Sequence, residues 1–248
     1  MTHIVGHRGA RNLWAENSLG GFRRVRDLGV DAVELDVHLS ADGEIVVIHD
    51  PLLERTTDGR GPVAGSSLAA LRQVRLRETL AESIPTLAEV LDVFAGAAID
   101  LEIELKTDAL GNPYPGLIEK VAALVDARDI GAGIALTCFV PDVLAEARQL
   151  APRLRRLASV DRRSCEAFGG LERPLERFVA LDCLVAVEQS LLAVALECCI
   201  AIVGSERLGV WVPNTPHDLA FWLAQPIARI TSDRPDLALL LRAERDRG

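Results

Sequence analysis

The amino-acid sequence predicts an α/β protein, and within that class a (β/α)8 TIM barrel. Short apolar runs alternate with helical segments, and repeated strand–helix units are typical of a parallel sheet. A chain of 248 residues with roughly eight such units has the usual size of a barrel domain. A doubly wound open sheet is the second interpretation. The strand candidates are 3–7, 30–38, 45–49, 99–105, 134–138, 154–158, 179–186, 200–203, 208–212 and 227–231.

Helical segments lie between most of these runs, and two of them have clear boundary signals. Thr86 and Glu89 form a T-x-x-E capping box, which marks a helix start. Gly29 suits the end of the first helix, because glycine accepts the left-handed conformation found there. No linker-like or low-complexity stretch interrupts the sequence, so residues 1–248 are predicted to form a single domain. The helix candidates are 18–28, 86–95, 116–128, 141–150, 188–197, 216–224 and 235–245.

The segment 40–85 breaks this alternation and begins with a hairpin signal, Asp42-Gly43. If these two residues form a two-residue turn, the register places Asp36 directly opposite His49. The two side chains would then share a face, with Cβ atoms about 4.5–5.5 Å apart. The hairpin is therefore predicted to bring a histidine next to a carboxylate.

The net charge and the cysteines restrict the expected partners and compartment. The formal net charge is −9, and such a field repels polyanions, so neither nucleic acid nor an anionic membrane surface is an expected partner. The most apolar region, 178–204, contains Asp182, Glu188 and Glu197, which makes it a poor membrane span. The start of the chain lacks a signal-peptide pattern, and the five cysteines include no C-x-x-C pair. Free thiols in a reducing cytoplasm are the expectation, and the oligomeric state is not predicted.

Two predicted strands carry like charges on one face. In "VDAVELDVHLS" at 30–40, Glu34, Asp36 and His38 alternate with apolar residues, and side chains alternate faces along a strand. "IDLEIELK" at 99–106 repeats the pattern. An antiparallel strand with one solvated face shows the same alternation, so the pattern alone leaves both interpretations open.

A barrel would bring the ends of these strands together, because active sites form at the carboxyl ends of several strands. Glu34, Asp36 and Glu104 would then converge, and three carboxylates repel one another unless a cation joins them. Oxygen ligands suit a hard ion, so the sequence predicts one divalent cation, Mg²⁺ or Ca²⁺. Glu102 shares the face of Glu104 but lies nearer the strand start, and it is the alternative ligand.

Cations and histidines near the same strand ends indicate an anionic substrate. His7 and Arg8 follow the first strand, and Lys106 is one of two lysines among 27 basic residues. Together with a metal and His49, these groups suit phosphoryl chemistry. His38 shares the face of Asp36, but the proposed chemistry gives it no task, and it is expected to be structural.

Several ordered motifs resemble the glycerophosphodiester phosphodiesterase family. They are "HRGARNLWAENS", "GVDAVELDVHLSADGEIVVIHDPLLERTTDGRG", "IPTLAEVLD", "LEIELK", "GVWVPN" and "ITSDRPD". The resemblance spans nearly the whole chain, although the segment from about 150 to 205 contributes little. It implies a (β/α)8 barrel with a small insertion after the second strand, here about 49–83. It also implies metal-dependent hydrolysis of a small-molecule glycerophosphodiester to glycerol 3-phosphate and an alcohol.

The resemblance further implies the roles of eight residues. The alternatives are a phospholipase D-like or phosphoinositide-specific barrel phosphodiesterase, or a phosphodiester-binding relative without turnover. The sequence shows no apolar or basic membrane-facing rim and retains both histidines, which disfavours these alternatives. Two departures from the family pattern, Pro213 in "WVPN" and Cys138 in "TCF", concern the shape of the pocket. The implied roles are metal binding by Glu34, Asp36 and Glu104, acid–base catalysis by His7 and His49, phosphate contacts by Arg8 and Lys106, and a pocket wall formed by Trp211.

Overall fold

The structure, a computed structural model, describes residues 1–128, 130 and 133–247. Its strands are β1 (His3–Gly6), β2 (Ala32–Leu39), β3 (Ile45–Val47), β4 (Asp100–Leu105), β5 (Ile134–Cys138), β6 (Arg155–Val160), β7 (Leu184–Glu188), β8 (Leu208–Trp211) and β9 (Arg229–Ser232). All except β3 are parallel to their neighbours, and the pairings of β1 with β2 and with β9 close the ring. The predicted (β/α)8 barrel is therefore confirmed.

Helices cover the outside of the barrel, and two of them begin as the sequence indicates. The Ser18 hydroxyl accepts a hydrogen bond from the Gly21 N–H, and the capping box of Thr86 and Glu89 is formed. None of the helices within the described ranges has both the length and the apolar character needed to cross a membrane. The helices are α1 (Leu19–Leu28), α2 (Leu68–Leu71), α3 (Leu87–Phe94), α4 (Leu117–Asp126), α5 (Pro141–Leu150), α6 (Arg162–Ala167), α7 (Glu172–Ala180), α8 (Gln189–Val203), α9 (Pro216–Leu223) and α10 (Pro235–Arg245).

The two acidic strands, β2 and β4, lie side by side. Their register places Glu34 beside Glu102 and Asp36 beside Glu104. The alternating apolar residues, such as Leu35, are fully buried in the core between the barrel and its helices. Since side chains alternate faces, the carboxylates point into the barrel.

The loop of the β2–β3 hairpin is longer than predicted. The carbonyl of Ser40 accepts a hydrogen bond from the Gly43 N–H at 3.0 Å, so Asp42 is a central residue of the turn and Gly43 is its last residue. Gly43 has a φ of +80°, the left-handed value that follows a type I turn in a three-residue hairpin loop. Leu39 therefore pairs with Ile45. The predicted two-residue turn, and the register derived from it, are wrong by one residue.

His49 reaches the barrel interior by another route. In the observed register the Ile48 N–H donates to the Asp36 carbonyl at 3.1 Å, so Ile48 takes the position predicted for His49. Strand β3 ends at Val47, and the chain bends directly afterwards. Because His49 lies in this bend, its side chain is free of the strand alternation and lines the same cavity as His7.

The segment between β3 and α3 forms a small insertion with its own core. Val46 of β3 packs into this core, while the adjacent Val47 packs into the main core, so β3 is buried on both faces. The Gly20 N–H at the start of α1 donates to Glu82 Oε2 at 3.0 Å and ties the insertion to the barrel. We infer that barrel and insertion fold as a single domain. The small core consists of Val46, Ile48, Leu53, Val63, Leu71, Leu76 and Ile84.

Two strand predictions in the second half of the chain differ from the structure. The candidate 200–203 is the last turn of α8, and the candidate 179–186 begins too early, because Val179 and Ala180 end α7. Short apolar runs do not distinguish a buried strand from a buried helix segment by composition alone. The ten-strand prediction is corrected to nine strands in the described ranges.

Candidate active site

A cavity of about 220 Å³ opens at the carboxyl ends of the barrel strands. This is the end at which (β/α)8 barrels place their active sites. The cavity wall contains seven of the eight residues predicted for the site, and the eighth, Asp36, is fully buried beside Glu104. The seven are His7, Arg8, Glu34, His49, Glu104, Lys106 and Trp211.

The loop after β1 places His7 and Arg8 over the barrel mouth. Arg8 has a left-handed backbone conformation with φ 51° and ψ 37°, which is unusual for a residue with a side chain. In this conformation its backbone N–H donates to Glu34 Oε2 at 3.1 Å. Strained backbone of this kind persists where surrounding contacts compensate for it, and it is concentrated at functional sites.

Glu34, Asp36 and Glu104 form a carboxylate cluster, with one oxygen of each within 4.8 Å of the others. Burial, together with the charges of Asp36 and Glu104, raises the pKa of Glu34 well above its ordinary value, and burial also raises the pKa of Glu104. Glu34 Oε1 and Asp36 Oδ1 are buried without a hydrogen-bond partner among the described residues. Such oxygens are costly unless a ligand satisfies them, and three converging carboxylates match the donors of Mg²⁺ and Ca²⁺. The cluster therefore fits a hard divalent cation.

Two cations lie against this cluster. Lys106 Nζ is 2.8 Å from Glu104 Oε1 and 3.4 Å from Asp36 Oδ1, and Arg8 Nε is 3.4 Å from Asp36 Oδ2. Burial opposes ionisation of Asp36, but Lys106, His49 and Arg8 hold its pKa below the ordinary value. Burial opposes the charge of Lys106 as well, but Glu104 and Asp36 raise its pKa. Both cations therefore stay charged beside the candidate metal site, where they can bind an anion.

His7 is held by an aspartate for which the sequence predicted no role. His7 Nδ1 lies 2.5 Å from Asp233 Oδ1, and Asp233 also accepts hydrogen bonds from Arg11 Nε and Asn214 Nδ2, each at 2.8 Å. Because a carboxylate only accepts, Nδ1 carries the proton, and Nε2 is left free at 3.8 Å from Glu34 Oε2. Burial lowers the pKa of His7, and the hydrogen bond to Asp233 partly offsets this effect.

His49 has a matching arrangement on the other side of the cavity. Its Nδ1 lies 2.6 Å from Asp50 Oδ1, so Nε2 is again the free nitrogen. Arg55 holds Asp50 through Nε at 2.5 Å and donates to both Glu16 oxygens at 2.7 and 2.9 Å. Burial lowers the pKa of His49 to about 4.

His38 supports the backbone of His49. It is fully buried, with Nε2 at 3.0 Å from the His49 carbonyl and Nδ1 at 2.9 Å from the Tyr114 hydroxyl. Since a carbonyl only accepts, Nε2 carries the proton and Nδ1 accepts from Tyr114. This contact agrees with the structural role expected for His38.

Among the described residues that contact the predicted site, Asp50, Asp233, Asn17 and Glu16 were not assigned a role from the sequence. Asn17 is buried, has a φ of +52° and donates through Nδ2 to Asp36 Oδ2 at 2.8 Å. Asp50 directly follows His49, and Asp233 directly follows β9, so a polar residue next to a strand end or a catalytic candidate was the available signal. Nothing in the local sequence indicates Asn17, because its contact depends on how the loop after β1 folds.

Glu102, the alternative metal ligand, is occupied by another partner. Arg229 donates to its Oε1, and both side chains are buried. Gly209 on the neighbouring strand leaves room for this arginine, because a Cβ there would overlap the Arg229 side chain. The pairing leaves Glu104, rather than Glu102, as the third member of the carboxylate cluster.

Trp211 and Phe139 form an apolar wall of the cavity. Their rings meet edge to face with centroids 5.9 Å apart, and Trp211 Nε1 donates to the Ala186 carbonyl at 3.2 Å. The two departures from the family pattern, Cys138 and Pro213, are not among the described residues that line the cavity. Their effect on pocket shape is therefore indirect.

A parallel barrel whose cavity combines a carboxylate cluster, paired histidines and two cations belongs to the class of barrels suited to phosphoryl chemistry. A model described as the glycerophosphoryl diester phosphodiesterase family matches residues 7–183, so the chain belongs to this family. The glycerophosphodiester phosphodiesterase of Caldanaerobacter subterraneus subsp. tengcongensis is 33% identical over 159 residues. The match covers 62% of this chain and 65% of that protein, which is less than two thirds of its length.

Solved structures resemble the entire barrel. A provisionally named glycerophosphoryl diester phosphodiesterase from Agrobacterium tumefaciens has 26% identity and a TM-score of 0.91, and the comparison covers 100% of both chains. An Oleispira antarctica phosphodiesterase, solved in complex with the product sn-glycerol-3-phosphate, has 26% identity and a TM-score of 0.79. That comparison covers 97% of this chain and 96% of the other.

Proposed function

We propose that this chain is a metal-dependent phosphodiesterase that hydrolyses glycerophosphodiesters to glycerol 3-phosphate and an alcohol. The observation that carries the proposal is one shared cavity that holds two aspartate-paired histidines, the carboxylate cluster, Arg8 and Lys106. Membership of the family supports this activity, and the glycerol 3-phosphate complex of the Oleispira antarctica relative supports the substrate class.

Glu34, Asp36 and Glu104 would hold one divalent cation, Mg²⁺ or Ca²⁺. When bound, this ion supplies charge neutralisation at a phosphoryl oxygen. Arg8 and Lys106 bind the other of the two non-bridging oxygens of the diester, since both lie against the cluster and stay charged. Donors that are already in place stabilise the charge that develops in the transition state without a cost of reorganisation.

His7 and His49 divide the two proton transfers. His7 accepts at Nε2 the proton of the nucleophile, which is either water or the glycerol 2-hydroxyl. In its imidazolium form, His49 donates the Nε2 proton to the oxygen of the leaving alcohol, and an anionic phosphate beside the ring favours this form against the burial that lowers its pKa. Asp233 and Asp50 hold the Nδ1 proton of each ring and stabilise the imidazolium form. With the glycerol hydroxyl as nucleophile, the first step gives a cyclic phosphate, which water opens in a second step.

The surroundings of the site complete the proposal. Trp211 would contact the carbon side of the glycerol, because with Phe139 it forms the apolar part of the cavity wall. The described cysteines are free, which supports a reducing, cytoplasmic compartment. The product, glycerol 3-phosphate, would connect the reaction to glycerol and lipid metabolism.

Release of glycerol 3-phosphate from two diesters, glycerophosphoglycerol and glycerophosphocholine, tests the proposal. We expect activity to disappear in EDTA and to return when Mg²⁺ or Ca²⁺ is added in excess, and the more effective ion identifies the physiological metal. Full activity after exhaustive chelation would exclude the metal assignment. Absence of release from both diesters with either ion would exclude the function.

A further inference from the structure

A second cavity lies beside the catalytic one. It has a volume of about 320 Å³, which is within the range of small-molecule pockets, and it lies between the loop after β1 and the insertion. Arg11 lines both cavities, so the two adjoin at this residue. The second cavity is lined by Arg11, Asn12, Ala15, Glu16, Arg55, Thr56, Leu76, Arg77 and Glu78.

The wall that the insertion contributes is held by its own backbone pairing. The Arg77 N–H donates to the Thr56 carbonyl at 2.8 Å, and the Asp58 N–H donates to the Arg75 carbonyl at 3.0 Å. Leu76, between the two arginines, is buried in the small core of the insertion. The side chains of Thr56 and Arg77 are therefore presented from a fixed backbone rather than from a loose loop.

The polar side chains of this cavity differ in whether they already have hydrogen-bond partners within the protein. Arg55 is fully engaged with Asp50 and Glu16. In contrast, the Thr56 hydroxyl is buried with no hydrogen-bond partner among the described residues, and Arg77 is exposed. Because the Thr56 side chain lines the cavity, a rotation about its Cα–Cβ bond can turn this costly unpaired hydroxyl toward a ligand group that pairs with it.

The location relates this cavity to the leaving group. Arg55 in its wall binds Asp50, and Asp50 holds His49, the residue proposed to protonate the leaving alcohol. A diester with its phosphate beside Arg8 and its leaving oxygen at His49 would direct the remainder of the alcohol toward this cavity. The cavity is therefore placed to receive the head group.

The chemistry of the lining distinguishes among head groups. A quaternary ammonium group such as choline is typically bound by a cage of aromatic rings, and no aromatic residue is among the described residues of this wall. Hydroxyl groups both donate and accept, and Thr56, Asn12, Glu78 and Arg77 offer partners of both kinds. Resting on the function proposed above, we propose that this cavity is a head-group subsite that selects glycerophosphodiesters of polyols over glycerophosphocholine.

The test compares kcat/KM for glycerophosphoglycerol and glycerophosphocholine, since both release glycerol 3-phosphate and share one assay. We expect the wild-type protein to prefer glycerophosphoglycerol. Thr56→Val and Arg77→Ala should each lower kcat/KM for glycerophosphoglycerol about three- to tenfold, the effect of one hydrogen bond, and change it less than about twofold for glycerophosphocholine. Arg60→Ala, an exposed arginine of the insertion outside this cavity, is the matched control and should change neither value.

Unfolding midpoints of the three variants control for misfolding, and Thr56→Val removes a hydroxyl that has no partner to lose. Equal losses on both diesters, or no loss on either, would overturn the subsite while leaving the proposed function intact. A wild-type preference for glycerophosphocholine would also overturn it. If the wild-type protein hydrolyses neither diester, the proposed function fails, and the subsite fails with it.

Discussion

The acidic side chains of β2 and β4 fall into two groups that are neutralised in different ways: a lower layer, formed by Asp100 and Glu102 toward the start of β4, and an upper layer, formed by the carboxylate cluster. In the lower layer, Asp100 pairs with Arg155 at 2.5 Å and Glu102 pairs with Arg229. In the upper layer, the three carboxylates of the cluster share Arg8 and Lys106, although one of them, Glu34, lies beside Glu102 in the strand register. Two of their oxygens have no hydrogen-bond partner in the described part of the chain.

The difference in how the carboxylates are neutralised indicates the role of each layer. A buried carboxylate with its own arginine is satisfied within the fold, and breaking the pair leaves an uncompensated charge. A cluster with more acids than bases is destabilising by itself and becomes favourable only when a cation binds. The ion pairs of the lower layer therefore stabilise the fold. The upper layer has negative charge that the protein does not fully neutralise and that a bound cation would. Matched substitutions in the two layers test this division.

The largest effect is expected from Glu34→Gln in the upper layer. Loss of one charged ligand weakens the cation site, and metal catalysis of phosphoryl transfer is worth several kcal/mol, so activity should fall about 10³–10⁵-fold. The metal-free variant should nevertheless be more stable than the metal-free wild type by about 1–2 kcal/mol near neutral pH, because glutamine is neutral without the proton that Glu34, with its raised pKa, must take up on folding. Activity assays and urea denaturation in EDTA measure the two effects. A variant that is less active and also less stable without metal would contradict the comparison.

Substitution of the two histidines beside the upper layer tests which of them protonates the leaving group and which deprotonates the nucleophile. If His49 is the acid, His49→Ala should lose about 10²–10⁴-fold on glycerophosphocholine and far less on a nitrophenyl diester of glycerol, whose leaving group needs no proton. His7→Ala should lose activity on both substrates, because the nucleophile must be deprotonated in either case. His217→Ala, at an exposed position, is the control. The opposite pattern would show that the two roles are reversed.

Both histidine variants require a check of the site before their rates are compared. His49 contributes to the low pKa of Asp36, so its loss can also alter the carboxylate cluster. Binding of Mg²⁺ or Ca²⁺ by calorimetry should be unchanged in His49→Ala and His7→Ala. A variant that no longer binds metal would report on the cluster and not on proton transfer.

In the lower layer, Glu102→Gln is the counterpart of Glu34→Gln. It leaves Arg229 buried without its carboxylate and should destabilise the protein by about 3–5 kcal/mol, with or without metal. The double substitution Glu102→Leu with Arg229→Met should recover much of this loss, because an apolar pair leaves no charge unpaired. Urea denaturation of the wild type, Glu102→Gln and the double variant measures both effects. Equal stability of Glu102→Gln and wild type would show that the ion pair does not stabilise the lower layer.

The sequence predicted the barrel and the site cavity because both depend on alternation along strands. Glu34, Asp36 and Glu104 could be placed on one face from their spacing alone, and parallel pairing then brings their strand ends together. His49 was placed in the same cavity for the wrong reason, because the loop at Gly43 is one residue longer than a two-residue turn. A turn type depends on a few backbone angles, which an Asp-Gly pair restricts but does not determine.

The sequence could not predict contacts that depend on loop folding or on distant strands. Asp233 reaches His7 from the other end of the chain, and Arg229 reaches Glu102 across 127 positions. Ile200–Val203 looked like a strand because an apolar run carries no period. The sequence predicted Glu104 as a metal ligand and left Glu102 as the alternative, and the ion pair of Glu102 with Arg229 favours Glu104.

The smallest expected effect is a pH dependence of the unfolding free energy of the metal-free protein. Its sign reports on Glu34 in the upper layer. Burial and the neighbouring charges of Asp36 and Glu104 raise the pKa of Glu34, so between about 4.5 and that raised value the folded state binds more protons than the unfolded state. The contribution of Glu34 to stability therefore decreases as the pH rises, by at most about 1.4 kcal/mol per pH unit for one proton. His7, His38 and His49 have lowered pKa values and act in the opposite direction up to about pH 6.5.

The difference in unfolding free energy between wild type and Glu34→Gln, measured by urea denaturation in EDTA from pH 5 to 8, isolates the contribution of Glu34. We expect the advantage of Glu34→Gln to grow with pH, and to vanish or reverse with saturating Mg²⁺ or Ca²⁺, because the ion replaces the proton. An advantage that stays constant with pH would show that Glu34 is ionised throughout and that Arg8 and Lys106 already satisfy the upper layer without a metal.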